Sequence, residues 1–273
     1  MGSLLDSAMT NAVHYVYGIV RSGFDVARAP TGMDDAVVEL ATVGKLGALV
    51  SRLDAAAYGP AVIERNSGDV SWISPRAMAH DRVLTWAQEH GGVLPMPMFS
   101  LWGSDDALRR MLDDRQADFE RVFARVAGAD EFGVRVHRRD ELLAKSLDDL
   151  DPETRRLQEE AAAASPGQRY LIQRKLDDHM KLAVRSAGKR MAKQIFDELA
   201  ALSRDAVARP LVADPNTPDV TLVLNAAFLV DHDRVQDFRA AVGERMRGYE
   251  ARGLTFDFTG PWPPYNFTRA KAR

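Results

Sequence analysis

Eight residues near the C-terminus, Gly260-Pro261-Trp262-Pro263-Pro264-Tyr265-Asn266-Phe267, constrain this chain more than any other stretch. Their three prolines cannot continue a helix and donate nothing to a sheet ladder. Each also pushes the residue before it towards extended backbone. The segment is therefore expected to leave a strand and run as a stiff ribbon carrying Trp262, Tyr265 and Phe267. A ribbon so restricted loses little entropy when it docks, on its own protein or on a partner. Aromatic side chains mostly serve packing. Because the ribbon follows the last expected strand, it is expected to pack across the surface of the C-terminal domain. At most part of its aromatic face is then left for a partner.

At 273 residues the chain suits one large or two modest domains. A hydrophobic fraction of 46% supports a real core, and 27% charged residues is ordinary. Thirty-six Lys and Arg against 39 Asp and Glu leave a net charge of −3, which gives no global attraction for nucleic acid or anionic membranes. The absence of cysteine excludes disulfides, thiolate metal sites and cysteine nucleophiles, and fits a reducing cytoplasm. No signal peptide is visible at the start of the sequence. The longest near-apolar run, Leu222–Val230, is interrupted by Asn225 and is far shorter than the ~20 residues of a membrane helix.

Read along the chain, residues 1–12 form a loose leader. Val13–Val20 reads as a strand, followed by a Gly/Pro/Asp break over Gly23–Asp35. Val37–Val43 and Leu46–Leu53 read as a hairpin around Gly44-Lys45. Val62–Glu64 and Val70–Ile73 read as short strands flanking an Asn66-Ser67-Gly68-Asp69 turn. Ser74-Pro75 reads as the start of a helix that Gly91-Gly92 stops. Val93–Trp102 is extended, and one amphipathic helix then runs from a Ser104 cap to Gly128.

The second half reads as a strand at Phe132–Val136, a helix over Asp140–Leu150 and a variable connection over Glu159–Gly167. A long helix over Tyr170–Ser203 follows, then an edge strand at Ala206–Val212 and a turn at Asp214–Asp219. Val220–Val230, apolar on both faces, reads as a central strand. A helix over Asp231–Arg252 and a strand over Leu254–Phe258 close the series. The order is β-α-β-β-α-β, the ferredoxin-like pattern. The expected fold class is α+β in two domains. A mixed N-terminal domain covers 13–129, and a ferredoxin-like domain covers 130–260 with a variable helical insertion at about 140–168. The aromatic and proline tail covers 261–273.

Catalytic patterns are missing. The six histidines, His14, His80, His90, His137, His179 and His232, make no HExxH array. His80 reads as a helix-surface or satisfied core histidine. Asp177-Asp178-His179 and Asp231-His232-Asp233 carry ligand-type residues, but helical neighbours point about 100° apart and do not converge on one ion. There is no GxxxxGK[ST], GxGxxG or GxSxG sequence. The Asp113-Asp114 and Asp148-Asp149 pairs read as charged helix surface. The basic clusters Arg185–Lys193 and Arg269–Arg273 lack the aromatic interleaving of a single-strand binder. A site assembled from distant residues stays open at this level, so a ferredoxin-like small-molecule-binding protein or enzyme is the alternative to a binding or structural protein.

Five stretches in order carry a resemblance: Tyr15-Val16-Tyr17-Gly18-Ile19-Val20, Gly91-Gly92-Val93-Leu94-Pro95-Met96, Tyr170-Leu171-Ile172-Gln173-Arg174-Lys175-Leu176, Leu224-Asn225-Ala226-Ala227-Phe228-Leu229-Val230, and Thr259 to Phe267. Together they resemble the gas vesicle protein GvpF/GvpL family over about residues 13–268. The resemblance implies two α+β domains, the second ferredoxin-like. It implies an accessory protein of gas vesicles, cytoplasmic and vesicle-associated, acting as a minor structural component or an assembly and nucleation factor. Its implied partners are the shell protein GvpA and other accessory proteins. No enzyme activity, cofactor, metal, nucleic acid, membrane or small-molecule substrate is implied.

Family members commonly carry an Arg-Phe-Gly-Thr-like run after the Leu-Pro pair, where this chain has Pro97-Met98-Phe99-Ser100. Met96, Met98 and Phe99 thus form either an adaptable apolar surface or a buried strand between two amphipathic helices. With Trp262, Tyr265 and Phe267 they are the candidate interaction and packing residues.

Overall fold

The fold is α+β, and a computed structural model describes residues 12–146, 152–212 and 220–268. The leader, the Asp148-Asp149 pair, the Asp214–Asp219 turn and the Arg269–Arg273 cluster fall outside the described residues, apart from residue 12, which opens the first strand. Two compact units are present. One runs to Gly128 and includes the tail from Trp262, and the other spans Ala129–Pro261. No helix among the described residues is long and apolar enough to cross a membrane.

In the N-terminal unit, β1 (Ala12–Arg21) is the hub of an antiparallel sheet ordered β2 (Glu39–Val43), β3 (Leu46–Asp54), β1, β4 (Leu94–Pro95), with β5 (Leu101–Trp102) also on β1. The expected hairpin turn falls at Gly44, whose φ of +57° glycine adopts without steric penalty. Gly18 is required for a different reason. A Cβ there would stand 2.4 Å from a Val93 methyl and 2.9 Å from the Leu94 carbonyl oxygen, so only glycine lets β4 close on β1. Tyr15, Tyr17, Leu49, Val83, Leu84 and Val93 belong to one buried core in this unit.

Several local expectations are corrected here. Val62–Glu64 lies in helix α1 (Pro60–Asn66), and Val70–Ile73 is the first turn of α2 (Val70–Glu89). Asp69 caps α2 by accepting from the Ser71 and Trp72 amides at 2.9 and 3.4 Å. That cap outweighs β-propensity. Ser74-Pro75 consequently lies inside the helix rather than at its start. Val93–Trp102 is two short strands separated by a tight turn. The single helix expected after Ser104 is two, α3 (Asp105–Asp114) and α4 (Gln116–Val126), broken at Arg115 with φ −104° and ψ 9°.

In the C-terminal unit the sheet order is β7 (Asp205–Ala208), β8 (Thr221–Asp231), β6 (Ala129–Arg138), β9 (Leu254–Trp262). Strand β6 pairs antiparallel with β8 over ten positions, with one bulge at Val136/His137. Phe132, Val134 and Val136 of β6 and Leu224, Ala226, Phe228 and Val230 of β8 follow the period of two. They share a core with Val184, Met191, Ile195 and Leu199 of the long helix α7 (Pro166–Ala200) and with Phe238 and Val242 of α8 (Val235–Glu250). Strand β8 is central and β7 is an edge, as their patterns predict.

Helix α5 covers Asp140–Lys145, and α6 (Pro152–Ala163) occupies most of what reads as a loose connection. The Ser-Pro breaker works as a start signal, with Ser165 at the N-cap and Pro166 opening α7 (Pro166–Ala200). Strand β9 runs through Pro261 to Trp262 instead of stopping at Phe258. It lies at an edge of its sheet, where a missing donor is tolerated.

Candidate functional site

Two of the residues singled out in the sequence, Met96 and Tyr265, meet in the N-terminal unit at a groove of about 730 Å³. Its walls are Leu94, Pro95, Met96, Pro97 and Ser100 from the β4–β5 turn, Arg115 and Phe119 from the α3–α4 break, and Tyr265, Asn266 and Thr268 from the tail. Apolar and polar groups share the lining about equally. The Arg115 guanidinium lies 4.6 Å over the Phe119 ring and makes no ion pair among the described residues.

Local bonding explains the shape. The Met96 amide donates to the Tyr17 carbonyl at 2.9 Å, and the Val16 amide donates to the Ser100 carbonyl at 2.8 Å, so both ends of the turn are pinned to β1. Between them the Ser100 amide and hydroxyl both donate to the Pro97 carbonyl, at 3.1 and 2.6 Å. The turn forces Phe99 to φ +63°, a left-handed conformation that disfavours every residue with a Cβ. Phe99 stands at the third position of the run, where the family resemblance puts glycine. Its ring stacks on Trp72 at 5.4 Å and meets Tyr15 edge-on at 6.4 Å, which offsets the backbone strain.

Under the groove lies a buried polar chain. The Phe99 amide donates to the Tyr15 hydroxyl at 3.4 Å, and that hydroxyl lies 2.7 Å from His80 Nδ1. His80 also bonds the Met96 backbone, a contact that falls to Nε2 because Tyr15 occupies Nδ1. Desolvation pushes His80 down to about 4, so the imidazole is neutral, with Nε2 donating and Nδ1 accepting from Tyr15. The same burial raises the Tyr15 and Tyr17 hydroxyls above their ordinary range. His80 is therefore the satisfied core histidine of the two readings its sequence context allows, and it fixes Met96 and Phe99 together.

The tail forms the other wall. Tyr265 donates to Asp81 of α2 at 2.9 Å, and its ring packs against the N-terminal core. Phe267 is 4% exposed, and Arg125 of α4 donates to its carbonyl. The expectation that the ribbon packs across the C-terminal domain is corrected by these bonds. Pro263 and Pro264 are buried and stiffen the approach, and Phe267 finds its cavity in the N-terminal unit.

The six candidate residues divide accordingly. Met96 and Tyr265 line the groove, Phe99 and Phe267 are packing residues beside it, Met98 is half-buried, and Trp262 is exposed at the end of β9. Arg115, Phe119 and Asn266 escape sequence reasoning. Phe119 reads as one more position of an apolar stripe, and the helix break that aims Arg115 has no proline or glycine to announce it.

A second cavity, of about 480 Å³, opens on the C-terminal sheet, lined in part by Arg135, His137, Asn225 and Asp257. His137 Nε2 lies 3.0 Å from Asp257 Oδ2. No serine, threonine, cysteine or lysine is among the residues lining it. Among the described residues no three His, Cys, Asp or Glu side chains gather as a metal site.

A family model described as "Gas vesicle synthesis protein GvpL/GvpF" matches residues 13–269. Gas vesicle protein L of a Streptomyces species is 28% identical over 265 residues, covering 94% of this chain and 93% of that protein. Gas vesicle protein F of the same species is 30% identical over 257 residues, covering 93% and 98%. The crystal structure of the gas vesicle protein GvpF from an Anabaena species superposes with a TM-score of 0.72 at 17% identity, covering 96% of this chain and all of that one, a likeness of fold.

Proposed function

The chain belongs to the GvpL/GvpF family of gas vesicle synthesis proteins, and on that basis we propose that it is an accessory protein of gas vesicle assembly that holds the shell protein GvpA. The observation that carries this reading is the groove of the N-terminal unit, half of whose lining comes from two stretches that carry the family signature, Gly91–Met96 and the closing ribbon. A cleft with apolar side chains along one part of its wall and a guanidinium on another fits an apolar segment that carries a carboxylate. Methionine at the lip adapts to irregular apolar surface. A small, strongly apolar shell subunit has such surface to cover before it polymerises. The protein would then act in the cytoplasm and at the vesicle, in contact with other accessory proteins. The absence of cysteine fits a reducing compartment.

The C-terminal unit is read as ferredoxin-like. Its element order β6-α7-β7-β8-α8-β9 and strand order β7-β8-β6-β9 support that reading, with α5 and α6 as an insertion after the first strand.

Affinity capture after co-expression with GvpA from the same organism tests the proposal. The wild type is expected to retain GvpA, and Arg115→Glu to lose most of it while melting unchanged. Absence of capture by the wild type, or undiminished capture by a folded Arg115→Glu protein, would overturn it.

A further inference from the structure

Helix α7 carries a seam that its own unit leaves uncovered. Leu171 and Leu182 are 67% and 65% exposed, on a helix whose other face fills the core with Val184, Ala187, Met191 and Ile195. Gln168, Leu171, Lys175, Asp178, Leu182, Arg185 and Lys189 are all exposed and succeed one another at spacings of 3, 4, 3, 4, 3 and 4. That is the alternation of a and d positions in a heptad, so all seven lie on one line along the helix. The Tyr170–Leu176 stretch, one of the five that carry the family resemblance, supplies Leu171 and Lys175 to it.

The seam is complementary to itself in one direction only. Turned antiparallel about a two-fold axis between Leu176 and Asp177, Leu171 faces Leu182 of a second copy, and Lys175 faces its Asp178. The outermost layer pairs Gln168 with the second copy's Arg185. In each layer an a position meets a d position, as antiparallel helix pairs require. A parallel pair would set Lys175 against Lys175 and Asp178 against Asp178, so charge selects the orientation. Within its own helix Asp178 has only an exposed contact to Lys181 at 3.9 Å, a pair of small worth that leaves the carboxylate available. We propose that α7 is a self-association surface through which two copies of this chain pair antiparallel. The inference does not rest on the shell-protein reading. With two leucines per copy, the pair is a weak, reversible one.

The lack of cysteine in the chain allows a clean test. Leu171 and Leu182 lie about 16 Å apart along a helix, beyond the reach of any disulfide. Under mild oxidation, an equimolar mixture of full-length Leu171→Cys and Leu182→Cys proteins is expected to form the mixed disulfide, while neither variant alone forms its own. Introducing Lys175→Asp into both partners should slow cross-linking roughly tenfold by setting acids against acids. Adding Asp178→Lys should restore it. Self-cross-linking of either single variant as fast as the mixture, no mixed disulfide, or no rescue by the charge swap would overturn the proposal. Circular dichroism of each variant establishes that it is folded before cross-linking is read.

Discussion

Acid should loosen the N-terminal unit through one side chain. His80 is 6% exposed and titrates near 4 in the folded protein, against an ordinary 6.5. Since the folded value is the lower one, between these two values the unfolded chain binds a proton that the folded chain refuses. Stability is therefore unaffected by this group above pH 6.5, falls as the pH drops through the interval, and carries the full penalty below pH 4. The full penalty is about 3 kcal/mol, and about 2 kcal/mol of it is already present at pH 5. Asp81, the neighbouring acid, opposes the shift, but burial dominates.

The assay is urea unfolding followed by tryptophan fluorescence. All four tryptophans, Trp72, Trp86, Trp102 and Trp262, belong to the N-terminal unit, so the signal reports on that unit. His80→Gln supplies the reference, because it does not titrate. Other groups contribute equally to both proteins and cancel in the difference. The wild type should lose about 2 kcal/mol more than His80→Gln between pH 7.5 and pH 5. Equal losses in the two proteins would show that His80 is not held neutral, and the bonded chain from Phe99 to Met96 would be wrong.

Other expectations follow from the same geometry. At position 99 the left-handed backbone makes glycine better than alanine, so Phe99→Gly should unfold at higher urea than Phe99→Ala by about 1 kcal/mol. Both should fall below the wild type, whose ring stacks on Trp72. Phe267→Ala removes a ring that is 4% exposed and should cost about 3–4 kcal/mol by the same fluorescence assay. Tyr265→Phe removes the hydroxyl that bonds Asp81 and should cost about 1 kcal/mol, leaving the groove wall in place. Gly18→Ala forces β4 away from β1, and hydrogen exchange should show early opening of the Met96 amide that bonds to Tyr17.

Elements with a strong period were readable from the chain. The run Val220–Val230, apolar on both faces, identified a central strand, and the apolar stripe of α7 identified a long helix. Capping decided the cases where short windows misled. Val70–Ile73 is rich in β-formers, yet the Asp69 carboxylate turns it into helix. The groove was half legible. Its methionine and its tyrosine stood out by residue type, but what joins them is tertiary, namely Tyr265 reaching Asp81 across 184 residues. Nothing in the local sequence of Tyr15 and His80 indicates that they meet, because their contact depends on α2 lying over β1. The destination of the ribbon was likewise set by a cavity for Phe267 that only the folded N-terminal unit possesses.

Vesicle yield in cells tests the central claim most directly. In a strain lacking this gene, the wild-type protein should restore gas vesicles. Arg115→Glu, accumulating to the same level and melting at the same temperature, should restore few or none. Normal vesicle yield in the deletion strain, or full restoration by Arg115→Glu, would contradict a role for this groove in assembling the shell.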